Sequence, residues 1–481
     1  MHFPIIVNKR FALALLAGVF LLSSCSKFND ELDTTSESQL SSSDIFKTPA
    51  RIEGLVNGLY KTVKTNSGRV LLNADWRGED FINLTNNAFT GFDAWANNYS
   101  GSSADVASIW EGAYASINNS NILIDGLDKT SGVIDEVRKK QYLGEAYFLR
   151  AYNYFILVTL YARPYREDNG ASEGIPLRLK PETSADGKNL ARSSVAKVYA
   201  SIIADLDLAE ANLPLSYSTK ELNTTRAHRN TAIALKTRVY LSAGNFEKVV
   251  SEAVKIVPQT SAPFAATSGV NHALQADVTT VFTSDYTTTE SILSMPVTTA
   301  DPPTTALGGS YNVNADFSLN TSGIFGNAQW GAEDARRKMT RLNTANSQNF
   351  LMKYAKPSPY LDYIPLIRYA EVLLNYAEAA ALTGDTPLAI RLLEAVHLRS
   401  DAGYVFPSAS IAMPQALVET IWTERRIELL GEGFRSNDLL RNLLPIPGKS
   451  SSSFNARQVL PGDAGYIFPI PDNEVLANEL L

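Results

Sequence analysis

Two separate stretches of this chain follow one plan: a helix, a turn of small residues, and a second helix. Apolar side chains recur at helical spacing from Ala232, break at Ala243-Gly244-Asn245, and resume through Val249, Val250, Ala253 and Val257. Residues 368–398 repeat the pattern around Gly384-Asp385, with Thr386 as N-cap and Pro387 as first-turn signal. A hairpin of this kind exposes an apolar face that it cannot bury alone, so it must stack against other hairpins. That requirement narrows the choice of fold more than any other feature of the sequence.

Other segments supply the neighbours. Ser193 is a plausible N-cap for a helix carrying Val195, Val198, Tyr199, Ile202, Ile203, Leu206, Ala209 and Leu213, which Pro214 stops. Residues 142–161 are apolar nearly all round, as expected for a helix inside a stack. With 142–213 as one pair and another pair beginning near Gln415, about four helix pairs are expected. The predicted fold class is mainly α, a tetratricopeptide-like scaffold with long irregular insertions forming the ligand-binding part.

The insertions are rich in Thr, Ser, Asn and Gly. Residues 258–363 hold Phe282, Tyr286, Tyr311, Phe317, Phe325, Trp330, Tyr354 and Tyr360, and residues 72–109 hold Trp76, Phe81, Phe89, Phe92, Trp95 and Tyr99. Irregular segments this long are uncommon in a compact domain unless they have a function. A sugar ring offers C–H bonds on a face and hydroxyls at its rim, so a flat aromatic beside amide groups suits it. Trp95 with Asn97, Asn98 and Tyr99, and Trp330 with Tyr311 and Asn327, have that combination. Each ring has a second reading as an anchor holding a loop to the helices, and Trp110 reads as core. In the segment 75–80, Trp76 and Arg77 are further candidates, the arginine either touching ligand or bracing its loop.

The N-terminus reads as an export signal. Lys9 and Arg10 precede an apolar run from Phe11 to Leu22, too short to span a bilayer, and Ser23-Ser24 lead to Cys25, the only cysteine. Leu22-Ser23-Ser24-Cys25 resembles a bacterial lipobox, which makes Cys25 the expected lipidation site and residues 25–45 a flexible tether. Asp30, Glu31 and Asp33 resemble the acidic patch of surface-exposed lipoproteins. The full chain is mildly acidic, 19% charged with net charge −7, an ordinary composition for a globular body, and nothing favours nucleic acid. His228, His272 and His397 show no metal-ligand spacing, and no nucleophile elbow, Walker loop or dinucleotide fingerprint occurs, so neither metal nor cofactor is expected. Glu424 and Glu428 have the residue types of a glycosidase pair, but with arginines interleaved on one helix they read as salt-bridged.

Several segments in order resemble one family. GEAYFLRAYNYF at 144–155 followed by Leu160-Tyr161, PLIRYAEVLLNYAEA at 365–379, ERRIELLGEGFR at 424–435 with DLLR at 438–441, and FPIP at 468–471 with Glu474 are similar to the signatures of SusD/RagB proteins. Gly174-Ile-Pro176 and Trp110, Tyr114, Asn118 and Asn121 add to the match. Two departures stand out: Ser436-Asn437 replaces an aromatic, and Ala162-Arg163 replaces a glycine-led turn. The resemblance implies a non-enzymatic outer-membrane lipoprotein that captures oligosaccharides at the cell surface and serves a SusC-like TonB-dependent transporter. It also implies boundaries at 1–24 (signal peptide), 25–45 (tether), 46–257 (N-terminal region), 258–363 (insertion) and 364–481 (C-terminal region). Three rival readings follow: a peptide-capturing RagB-like member, an assembly or lid subunit without appreciable affinity of its own, and a surface hydrolase.

Overall fold

The computed structural model describes residues 42–184 and 189–481. The signal peptide, Cys25 and the tether as far as residue 41 lie outside the described residues.

Most of the helices stack in chain order, each packing on the next. Helix α1 (Pro49–Trp76) begins at Thr48, whose side chain accepts the Arg51 N–H, and buries Ile52, Val56, Leu59, Tyr60 and Val63. It packs against α2 (Ala104–Lys129), which packs against α3 (Glu136–Tyr161). Asp135 caps α3, whose second half is buried nearly all round, as its composition predicts. Ser194, and not Ser193, caps α4 (Val195–Asn212) by accepting the Lys197 N–H.

The two hairpins come next. Helix α5 (Arg229–Ala243) ends at Gly244, in the left-handed region at φ +74°, and Asn245 caps α6 (Phe246–Ala253). Helix α7 (Tyr369–Leu382) turns at Gly384, φ +95°, into α8 (Thr386–His397). The cap there is Asp385, which accepts the Leu388 N–H at 3.1 Å; Thr386 and Pro387 are already helical. Helices α9 (Pro414–Glu428) and α10 (Arg435–Arg441) close the stack. One apolar core runs through it from Ile52 to Phe468.

The irregular stretches hold short antiparallel pairs: β1 (Phe81–Asn83) with β3 (Phe317–Leu319), β2 (Ser291–Met295) with β6 (Ile364–Arg368), β4 (Thr340–Asn343) with β5 (Gln348–Leu351), and β7 (Lys449–Ser450) with β8 (Asn455–Ala456). The first pair matters most, because its register of Phe81 opposite Leu319 joins the two aromatic-rich insertions.

Charges that the sequence places at helical spacing pair instead between segments. Arg368 meets Glu290, Glu428 and Glu432; Glu371 meets Arg238; and Glu378 meets Arg441. At the Ser436-Asn437 departure, Asn437 lines a cavity of about 80 Å³ with Phe434, Tyr152 and Leu366.

Candidate ligand-binding face

Helix α1 ends beneath this face. From its last turn the chain runs through β1 into a loop fixed by its own side chains. The Asn83 side chain accepts the N–H groups of Thr85 and Asn86, at 3.1 and 2.8 Å, an Asx turn that lets Asn86 take φ +50°. Asn87 caps the turn Ala88–Thr90 by accepting the Phe89 N–H at 2.9 Å, and the Thr85 and Thr90 hydroxyls meet across the loop. Gly91 follows at φ +82°, where a Cβ would come within 2.0 Å of the Trp76 ring. Trp76 is therefore the floor on which the turn rests, and Phe89 projects above it, 97% exposed.

Two further loops complete the face. The Leu84 N–H donates to the Asp316 carbonyl at 2.9 Å, extending the β1–β3 ladder and bringing residues 314–316 alongside. Tyr360 Oη donates to Asn314 Oδ1 at 3.0 Å. Burial raises the Asp316 carboxyl above the usual range. Beyond Asn86 lies the tip of the β7–β8 hairpin: Asn86 Nδ2 donates to Ser453 Oγ, and Phe454 sets its edge against Phe92 at 5.1 Å between ring centroids. Thr85, Asn86, Asn87, Asn314 and Ser453 are exposed, so two aromatic rings, Phe89 and Phe454, stand among amides and hydroxyls.

The larger rings expected to bind ligand lie below this surface. Trp95 is 0% exposed and its indole N–H donates to the Phe81 carbonyl at 2.8 Å. Trp76 stacks on Phe317 at 4.2 Å, and Tyr311, fully buried, packs on Phe81 and bonds Asp75. Trp330 is 3% exposed, packed between Phe325 and the Arg337 guanidinium. Arg77 is buried, donates to the Gly465 and Tyr466 carbonyls, and lies 5.0 Å from the Phe468 ring centre, so it braces the C-terminal segment. Asn97 bonds Arg77, and Tyr99 donates to Asn73 Oδ1 at 2.8 Å. Asn327 is exposed and accepts the Gln329 N–H. Asn98 is exposed. Trp76, Arg77, Trp95, Tyr99 and Tyr311 thus anchor loops around α1 and β1 in this structure, the rings because a large flat aromatic gains most by burial. Trp330 and Asn327 belong to a different contact set.

Glu424 and Glu428 offer no acid and base. Both are fully buried, Glu424 against Arg336 and His397, Glu428 against Arg336, Arg368 and Arg399. Burial pushes Glu428 upward, yet the surrounding guanidiniums outweigh it and hold the carboxyl well below the usual range. A general acid has to be protonated near its working pH and reach its substrate, and Glu428 meets neither need. Among the described residues no group of three or more His, Cys, Asp or Glu side chains could hold a metal ion, and no helix is long and apolar enough to cross a membrane.

Comparison with known proteins agrees with this architecture. The family described as starch-binding and associating with the outer membrane matches residues 30–241, and the SusD family matches residues 338–481. A SusD superfamily protein from Bacteroides fragilis superimposes with a TM-score of 0.81 at 31% identity, covering 91% of this chain and 100% of that one. The chain belongs to the SusD family. A SusD-like protein of Formosa agariphila, P2, is 26% identical over 98% of both chains. A laminarin-binding SusD-like protein shares the SusD fold at 20% identity, with a TM-score of 0.68 over 91% of this chain and 99% of its own.

Proposed function

We propose that this chain is the surface binding subunit of an oligosaccharide uptake system and holds its ligand on the face formed by residues 84–92, 314–316 and 451–454. Phe89 carries the reading. Its ring is exposed on a turn that Asn87, Gly91 and Trp76 keep in one shape, so it is presented rather than packed. A sugar face stacks on such a ring while Asn86, Asn87, Asn314 and Asp316 take the surrounding hydroxyls. Loop rigidity favours affinity because little ordering remains to oppose binding. The starch-binding description of the matched family and the laminarin-binding relative support a glycan as ligand class.

The same reading makes Cys25 a lipid anchor at the outer membrane and hands the ligand to a SusC-like TonB-dependent barrel without chemistry or cofactor. The buried, ion-paired state of Glu424 and Glu428 supports a binding role over hydrolysis.

The test is calorimetric titration of the soluble body, starting after Ser26, against oligosaccharides from starch, laminarin and other glycans, with peptides alongside. Phe89→Ala is expected to weaken glycan binding about tenfold or more, roughly 1.4 kcal/mol, without lowering thermal stability. Unchanged affinity in that variant contradicts the site. Peptide binding with no glycan binding contradicts the ligand class.

A further inference from the structure

We infer that Lys449 is a positioning residue that fixes the two walls of the ligand face relative to each other, an inference that rests on the site proposed above. Helix α1 ends with carbonyls that have no partner within the helix, the general condition of a helix C-terminus. Lys449 Nζ donates to the carbonyl of Trp76, the last helical residue, and to those of Arg77 and Gly78 just beyond it, at 2.5, 3.0 and 2.5 Å. A protonated lysine amine has three donors, so this set uses all of them; burial pulls its pKa well below the usual lysine value, while its place at the negative end of a helix favours the cation. The side chain is buried, and its ammonium also lies 5.5 Å from the Trp95 ring centre.

The chain position of these groups gives the contact its consequence. The three carbonyls immediately precede β1 and the 84–92 loop, while Lys449 opens the short hairpin β7–β8 that ends in Ser453 and Phe454. The hairpin has only two paired residues on each strand, too few to hold its own place against the body. Its contacts with the opposite wall are the exposed bond from Asn86 to Ser453 and the packing of Phe454 on Phe92 and Trp95. Lys449 is the buried polar link beneath them. Removing its ammonium loosens the hairpin and leaves the Trp76 and Gly78 carbonyls unpaired at the base of the Phe89 loop, with Arg77 keeping only its bond from Asn97.

The test compares wild type, Phe89→Ala and Lys449→Met in glycan titration at a temperature where all are folded, together with amide hydrogen exchange. The probe is whichever starch- or laminarin-derived oligosaccharide of the panel wild type binds tightest. Lys449→Met is expected to bind about tenfold more weakly, with faster exchange in 451–456 and 84–92 and unchanged exchange in α4 to α8. A purely structural lysine lowers melting temperature without altering affinity in the folded state, and that outcome overturns the inference. If Phe89→Ala loses binding while Lys449→Met keeps it, the site stands and the positioning role falls. If wild type binds no glycan, the site reading fails, and exchange alone decides: unchanged exchange in 451–456 overturns the pin. Should Lys449→Met not fold, Lys449→Gln, which keeps two N–H donors, takes its place under the same criteria.

Discussion

Trp95 and Phe89 lie six residues apart and meet opposite environments, one ring fully buried and the other exposed. Trp95 gives its whole surface to the core and its N–H to Phe81. Trp95→Ala is therefore expected to destabilise the protein by about 3–5 kcal/mol, the range for deleting a large buried ring, whereas Phe89→Ala leaves the denaturation midpoint unmoved. A midpoint that shifts little in Trp95→Ala contradicts its placement. Asp75 is a second instance at this scale. Burial raises its carboxyl from 3.8 to about 7, although the Gly433 N–H and Tyr311 hydroxyl bond it. A raised carboxyl favours the protonated folded state, so its contribution is complete below pH 3.8 and is lost as pH climbs through about 7. The melting temperature of wild type should therefore fall more between pH 5 and pH 8 than that of Asp75→Asn; parallel profiles would refute the shift. Sequence reasoning ranked candidates by ring size, and size is what drove those rings inward. The signal for the proposed face is smaller: Asn83, Asn86 and Asn87 around a phenylalanine, closed by Gly91, which together spell a self-capped turn.

The helical hairpins were legible because their turns are written locally. Gly244-Asn245 and Gly384-Asp385 each place a left-handed residue before a capping side chain, and that chemistry needs no tertiary information. Helix α1 was not legible, since Asn66, Ser67, Asn73 and Asp75 are buried in its second half and break the apolar period. Two of them are satisfied by partners far along the chain, Asn66 by the Ile109 carbonyl and Asp75 by Gly433, which no local pattern reveals. The cap claim has a direct check. Asp385→Ala is expected to cost about 1 kcal/mol by denaturant titration, the usual price of an N-cap, and a neutral result would show that α8 is held by packing alone.

Across the whole molecule, the stack of helices leaves its irregular segments to one another. The β1–β3 pair joins segments more than 200 residues apart, and Arg336, Arg368 and Arg399 hold α9 to the insertion and to α8 through fully buried carboxylates. Breaking such pairs singly is costly because a buried charge is left alone, which gives these charged residues a structural reason for their positions. The family was readable because these long-range partners sit in recognisable motifs; the proposed ligand face was not, because three loops from distant parts of the sequence meet only after folding. A second concavity exists, an open groove of about 750 Å³ between α4 and α5 lined by Tyr165, Tyr199, Ile203 and Tyr240, and it provides the natural competitor for ligand. The most direct measurement is amide hydrogen exchange of the soluble body with and without the tightest-binding oligosaccharide. Protection centred on residues 84–92, 314–316 and 451–454 is the expected result, and protection along α4 and α5 with none in those loops would contradict it.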